Sequence, residues 1–182
     1  MAREGRCVHA SHKVREPFPR NPYSVNNVMD VWECDLVDVQ ALRKFNDNFK
    51  YLLSVIDIFS KFLHMKSLKS KTGTAVTAAF ESVFGDSKYS RRRPIWVRTD
   101  KGKEFLNRNF QDMLKRKGIQ FQVCKNPDVK CSVVERVHRT IRNRIDKYFR
   151  IKTPTDISTF CRNLSGPTTP RFTLPRPWHR RK

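Results

Sequence analysis

Long apolar runs are missing from this chain. No stretch of about 18 consecutive apolar residues occurs, so no membrane-spanning helix is expected. The opening Met1-Ala2-Arg3-Glu4-Gly5-Arg6 leads into no apolar segment, so no secretory signal is expected either. The five cysteines (Cys7, Cys34, Cys124, Cys131 and Cys161) are odd in number and contain no CxxC pair. That pattern points to reduced thiols in a cytosolic or nuclear protein. Cys7, His9 and His12 lack a fourth ligand at finger-like spacing, which argues against zinc. There is no GxxxxGK[ST] loop for a nucleotide, no evident Ser-His-Asp or Cys-His set, and no solenoid-type repeat.

Acidic residues are also scarce. Seventeen Asp and Glu face 38 Lys and Arg, leaving a net charge of +21 and a pI near 10.4. Solubility does not require so basic a surface. Its usual partner is a polyanion, most often nucleic acid, and no basic amphipathic helix with a free bulky apolar face suggests a membrane instead. Hydrophobic residues at 38% and aromatics at 11% allow one ordinary domain with a core.

Residues 1–29 are polar and basic, with Pro17, Pro19 and Pro22, and read as a linker or arm. From Val31 the text changes. Val31–Val39 is a strand by its β-formers, Tyr51–Ile58 is an almost continuously apolar second strand, and Phe62–Ser67 is a third. Short connections predict an antiparallel meander. A helix over Thr74–Phe84 follows, then a strand over Ile95–Thr99, a helix capped by Asn107 and closed by Gly118, and a strand over Ile119–Val123. The last helix runs from about Val133 to Arg150, with Ser132 as its expected cap. At 100° per residue Val134, Val137, Ile141, Ile145 and Tyr148 share one stripe, and Glu135, Arg139, Arg142 and Asp146 lie opposite. The order predicts an α/β fold: a five-stranded mixed sheet flanked by helices in three layers.

Three acids stand out in this frame. Asp35 lies inside an otherwise apolar strand, Asp100 closes the short strand after Trp96, and Glu135 opens the last helix. Glu135 by itself is compatible with ordinary helix chemistry, an acid in the first turn with an arginine four places on. Asp38 and Asp57 are rivals to Asp35, with structural roles equally open. Three carboxylates on two strands and a helix start could hold two Mg²⁺ or Mn²⁺ ions, which take oxygen ligands and serve in-line displacement at phosphorus. The basic residues Arg91-Arg92-Arg93, Lys101, Lys103, Lys115-Arg116-Lys117, Lys125, Lys130 and those from Arg136 to Arg150 suit phosphate contacts. Such contacts carry no base sequence, and no element for reading bases is apparent. Phe62, Phe105 and Phe121 read as core rather than as stacking platforms.

The tracts Trp32-Glu33-Cys34-Asp35, Val55–Phe62, Arg98-Thr99-Asp100-Lys101-Gly102-Lys103-Glu104-Phe105 and Val133-Val134-Glu135-Arg136 closely resemble the catalytic core of retroviral-type integrases. The stretch from Trp96 to Phe149 is most similar to integrases of Polinton/Maverick-type DNA transposons. The resemblance covers Trp32 to Phe149 and implies a ribonuclease H-like fold over residues 30–151. It implies that Asp35, Asp100 and Glu135 are the D, D and E that hold metal, with Gly102 as the turn glycine. It also implies that Arg139 and Arg142 approach DNA, and Lys101, Lys103, Lys130 and Arg136 are expected to join them by charge. The activity implied is metal-dependent nicking of DNA and transfer of its 3′ end to target DNA, with self-association and a nuclear setting. A ribonuclease H-like nuclease or a non-catalytic DNA-binding relic of a transposon are the alternatives. Two departures bear on activity. Asp100 and Glu135 have 34 residues between them, one fewer than the common retroviral spacing. The loop Asn126–Ser132 lacks the glutamine- and glycine-rich sequence of the retroviral proteins.

Residues 152–182 are rich in proline and basic residues with no helical apolar period, and read as a disordered tail. The resemblance ends while the integrase core is still incomplete. This predicts a copy whose reading frame shifted after about residue 151, with a natural basic tail as the alternative. A truncated core would leave apolar surface exposed beside the last helix.

Overall fold

A computed structural model describes residues 25–85, 93–124, 132–151, 160–161 and 165–167. Its elements in chain order are β1 (Val31–Asp38), β2 (Tyr51–Asp57), β3 (Phe62–Leu68), α1 (Gly73–Phe84), β4 (Trp96–Thr99), α2 (Arg108–Arg116), β5 (Gln120–Val123), α3 (Ser132–Ile151) and β6 (Gly166–Pro167). The strands form one sheet in the order β5-β4-β1-β2-β3-β6. β1, β2 and β3 are the antiparallel meander, and β4 and β5 join it in parallel. Each parallel strand needs a crossover, and α1 and α2 supply them. This is the mixed five-stranded sheet expected, extended at one edge by the two residues of β6. A short 3₁₀ turn at Gln40–Phe45, which the sequence pattern did not suggest, precedes the turn at Asp47 and Asn48, both with positive φ.

The sheet has an apolar core on each face. Trp32, Cys34, Leu53, Val55 and Val97 pack against Val76, Phe80 and Val83 of α1 and Phe110, Met113 and Leu114 of α2. Phe105 is buried in the same cluster and Phe121 packs against it, as expected of core phenylalanines. On the other face Val37, Leu52, Ile56, Leu63 and Met65 pack against Val134, Val137, Ile141 and Ile145 of α3. Val134, Val137, Ile141 and Ile145 of the stripe read from the helical period are buried, Glu135, Arg139, Arg142 and Asp146 are exposed, and the Tyr148 side chain lies outside the described residues. Local sequence sets the helix ends: the Asn107 side chain accepts from Phe110 N–H at the start of α2, and Gly118, with φ of 70°, follows its last turn.

The C-terminal reading needs correction. Phe160 (7% exposed) and Cys161 are buried in the α3-side core. Ser165 Oγ accepts from Met65 N–H at 3.1 Å and donates to the Cys161 carbonyl at 2.9 Å, and β6 pairs with Phe62 and Leu63. The folded unit thus continues to at least Pro167 rather than stopping at 151. No exposed large apolar side chain lies on α3 among the described residues. The physical reason is that Phe160 and Cys161 join the α3-side core without any long periodic run. The Cys7, His9 and His12 group and the expected arm over 1–24 lie outside the described residues, as does residue 168 onward.

Candidate active site

Strand register brings the first two acids together. β1 and β4 run parallel with Cys34 opposite Thr99, so Asp35 and Asp100 are the next pair along. Side chains alternate across a strand. Trp32 and Cys34 enter the α1–α2 core, and Glu33, Asp35 and Val37 therefore turn toward α3. Glu135 stands in the first turn of α3, on the same side of the sheet.

The Asp35 carboxyl is held at both oxygens. Oδ1 accepts from Leu36 N–H at 2.7 Å, and Oδ2 lies 3.3 Å from His138 Nδ1. Burial is the main reason its pKa is raised from 3.8 to about 7, opposed by the Leu36 N–H; the nearby charges of Asp100, Glu135 and Glu104 push it further up. Among the described residues, however, no three His, Cys, Asp or Glu side chains are gathered closely enough to hold a metal ion. Asp100 is exposed, and its Oδ1 accepts from Gly102 N–H at 2.9 Å. A Cβ on Gly102 would come within 2.9 Å of that Oδ1 and of Glu104 Cδ, so a larger residue here would push both carboxyl groups aside. Glu104, half-buried beside the turn, is a fourth acid acting on Asp35, and it is not marked in the sequence because it lies outside any apolar strand.

His138 was also overlooked. It is 5% exposed, and its Nε2 lies 2.5 Å from Ser54 Oγ, which itself donates to the Asp35 carbonyl at 3.0 Å. Ser54 sits opposite Asp35 in the β1–β2 register. A Ser-His-Asp chain therefore exists where the sequence suggested none. It does not make a nucleophile, because Ser54 is fully buried. Nor is the Asp35–His138 contact an ion pair at neutral pH: burial, with Arg142 nearby, lowers the His138 pKa to about 4. With Asp35 protonated the donors run in one direction, from its carboxyl to Nδ1, from Nε2 to Ser54, and from Ser54 to the Asp35 carbonyl. Ionising Asp35 favours the other imidazole tautomer, with Nδ1–H donating to the carboxylate. The signal in the sequence was His138 standing on the α3 stripe between Val137 and Ile141.

The rival acids are structural. Asp57 is buried and accepts from Met29 N–H, Phe59 N–H and Ser60 Oγ, fastening the β2–β3 turn to the start of β1. Asp38 accepts from Gln40 N–H and Nε2 at the surface. Of the basic residues expected to face DNA, Lys101, Lys103, Arg136, Arg139 and Arg142 are exposed, and Lys130 lies outside the described residues. The Ser132 side chain expected to cap α3 is likewise not described. The acceptor seen there is Glu33, whose Oε2 takes the Val134 N–H at 3.0 Å. No helix among the described residues is long and apolar enough to cross a membrane.

Comparison with known proteins gives three findings. A family model for the integrase core domain matches residues 26–127. A putative uncharacterized transposon-derived protein of Caenorhabditis elegans is 36% identical over 110 residues, 60% of this chain and 37% of that protein. The chain thus spans little more than a third of that relative's length. Among solved structures, the integrase catalytic core of HTLV-2, in complex with magnesium and in dimeric form, superposes with a TM-score of 0.60 at 20% identity, covering 75% of this chain and 83% of that one. The simian T-cell lymphotropic virus intasome, solved with the PP2A regulatory subunit B56 gamma, gives a TM-score of 0.67 at 18% identity, covering 82% and 51%. At these identities the structures establish the fold, which is ribonuclease H-like.

Proposed function

The chain belongs to the integrase core domain family, and on that premise we propose that it is a metal-dependent polynucleotidyl transferase that nicks DNA and joins a 3′ end to target DNA. One observation supports the proposal: the parallel β1–β4 register puts Asp35 and Asp100 at neighbouring strand ends, and the charges of Asp100 and Glu135 act on the Asp35 carboxyl. The donor set fits a hard divalent cation. Burial, with a smaller push from the charges of Asp100, Glu135 and Glu104, raises the Asp35 pKa to about 7, and oxygen ligands are what Mg²⁺ and Mn²⁺ take. Asp35, Asp100 and Glu135 are the residues that would hold two such ions, and the magnesium of the HTLV-2 core supports that choice. The ions would supply charge neutralisation at phosphorus and activation of the attacking oxygen.

The chain's own contributions follow from its geometry. His138 and Leu36 N–H fix the Asp35 carboxyl. The turn at Gly102 fixes Asp100. Lys101, Lys103, Lys130, Arg136, Arg139 and Arg142 bind the DNA backbone by charge, with little choice of sequence. The dimeric HTLV-2 core supports self-association, and a nuclear setting is part of the same proposal. The test is incubation of the protein with a labelled DNA end of its element and a plasmid, with Mg²⁺ or Mn²⁺. Labelled plasmid is the expected product. Cleavage without joining would make the chain a nuclease, and neither product would make it a DNA-binding relic.

A further inference from the structure

The three acids come from two strands and one helix, so they meet only if α3 lies on the sheet in one register. A strand advances roughly 3.3 Å per residue and a helix 1.5 Å. Two residues along β1 therefore match about four along α3. The contacts follow that ratio. Glu33 meets Val134 N–H, and Asp35, two residues on, meets His138, four residues on. Val37 continues the series by packing in one cluster with Ile141.

The first of these rungs is unusual because it is a carboxylate with 1% exposure. Burying an acid is unfavourable unless its oxygens are used. Glu33 Oε2 accepts the Val134 N–H at 3.0 Å, one of the four amides that a helix start leaves without an internal partner. Glu33 Oε1 lies 3.9 Å from Arg98 Nη1. Arg98 in turn forks onto Gln122 Oε1, from Nε at 3.1 Å and Nη2 at 2.9 Å. One carboxylate thereby connects β1, β4 and β5 to the first turn of α3. Glu135 is the next residue after Val134, and slipping the helix by one position would rotate its side chain by about 100°.

We propose that Glu33 is a positioning residue for Glu135: it pins the start of α3 to β1 through the Val134 amide, and is not itself one of the metal ligands. The inference rests on the reading that Asp35, Asp100 and Glu135 form one site. The experiment uses the full chain with two readouts: hydrogen exchange at the Val134 amide without metal, and binding of Mn²⁺ alone followed by loss of the free-ion EPR signal. Glu33→Leu, which keeps bulk but no acceptor, is expected to speed Val134 exchange about tenfold and to weaken Mn²⁺ binding about tenfold. Glu33→Gln retains an acceptor and is expected to keep both near the parent values. Unchanged Val134 exchange in Glu33→Leu overturns the proposal. So does a Glu33→Gln protein that keeps Val134 protected yet loses as much Mn²⁺ affinity as Glu135→Gln, since Glu33 would then be a ligand. Met113 in α2 serves as a reference for global opening. Should Glu33→Leu not fold, Glu33→Met, which also lacks the carboxylate, gives the same reading: faster Val134 exchange supports the tie and unchanged exchange overturns it. Glu135→Gln separates the two layers of inference. If it leaves Mn²⁺ binding intact, the site reading fails while the Val134 amide still reports on Glu33.

Discussion

Asp35→Asn is expected to stabilise the metal-free protein while removing its activity. The folded-state pKa of Asp35 is raised to about 7 from 3.8. The sign follows from that direction: the native state holds this proton more tightly than the unfolded chain, so stability contributed by the group is full below pH 3.8 and is lost as pH rises toward about 7. One pKa unit corresponds to about 1.4 kcal/mol, so keeping an ionised Asp35 in the fold above pH 7 is unfavourable by at most about 4 kcal/mol relative to acid conditions. Near pH 4.5 the same linkage gives about 1 kcal/mol. Asparagine has no such dependence and can still meet Leu36 N–H and His138. The advantage of Asp35→Asn over the parent should therefore grow by about 3 kcal/mol between pH 4.5 and pH 7.5, or by about 6–12 °C in Tm for a chain of this size. The assay is a pair of melts at each pH in EDTA, and saturating Mg²⁺ should reverse the order at pH 7.5 by stabilising the parent alone. A variant no more stable than the parent at pH 7.5, with no pH-dependent gap, would refute the idea that burying an ionised Asp35 is unfavourable in this site.

Gly102→Ala should cut DNA cleavage by about 100-fold through displacement of Asp100 and Glu104 while shifting Tm by only a few degrees; equal activity would show that the tight turn is not needed. Arg139→Ala combined with Arg142→Ala should reduce the slope of log affinity against log salt by about one to two units, and an unchanged slope would remove this helix face from the DNA interface. Phe160→Ala should destabilise the fold by about 3 kcal/mol, as expected for a buried aromatic truncated to alanine; a negligible change in urea midpoint would return residues after Ile151 to the status of a tail.

Much of the fold was legible in the sequence because each element carries its own local signal. The continuous apolar run of β2, the helical stripe from Val134 to Ile145, and Asn107 and Gly118 at the ends of α2 need no tertiary knowledge. Asp35 and Asp100 were visible because a carboxylate within or at the end of an apolar strand is out of place. Other parts depend on distant partners. Ser54 is 84 residues from His138, so their contact with Asp35 arises only when β1, β2 and α3 assemble. Glu33 looks like an ordinary polar strand residue until Val134, 101 residues away, presents its amide. Glu104 is hidden in a charged tract and gains meaning from the turn at Gly102. Phe160 and Cys161 were lost in proline-rich text because two apolar residues make no period, yet both join the α3-side core.

Joining of a labelled DNA end to plasmid by Asp100→Asn and by Glu135→Gln, compared with the parent in Mn²⁺, tests the central claim most directly. Each substitution removes an anionic ligand and keeps its volume. The account predicts no joined product from either variant, with melting curves close to that of the parent. Near-normal joining by Asp100→Asn, with an unchanged melting curve, would contradict it.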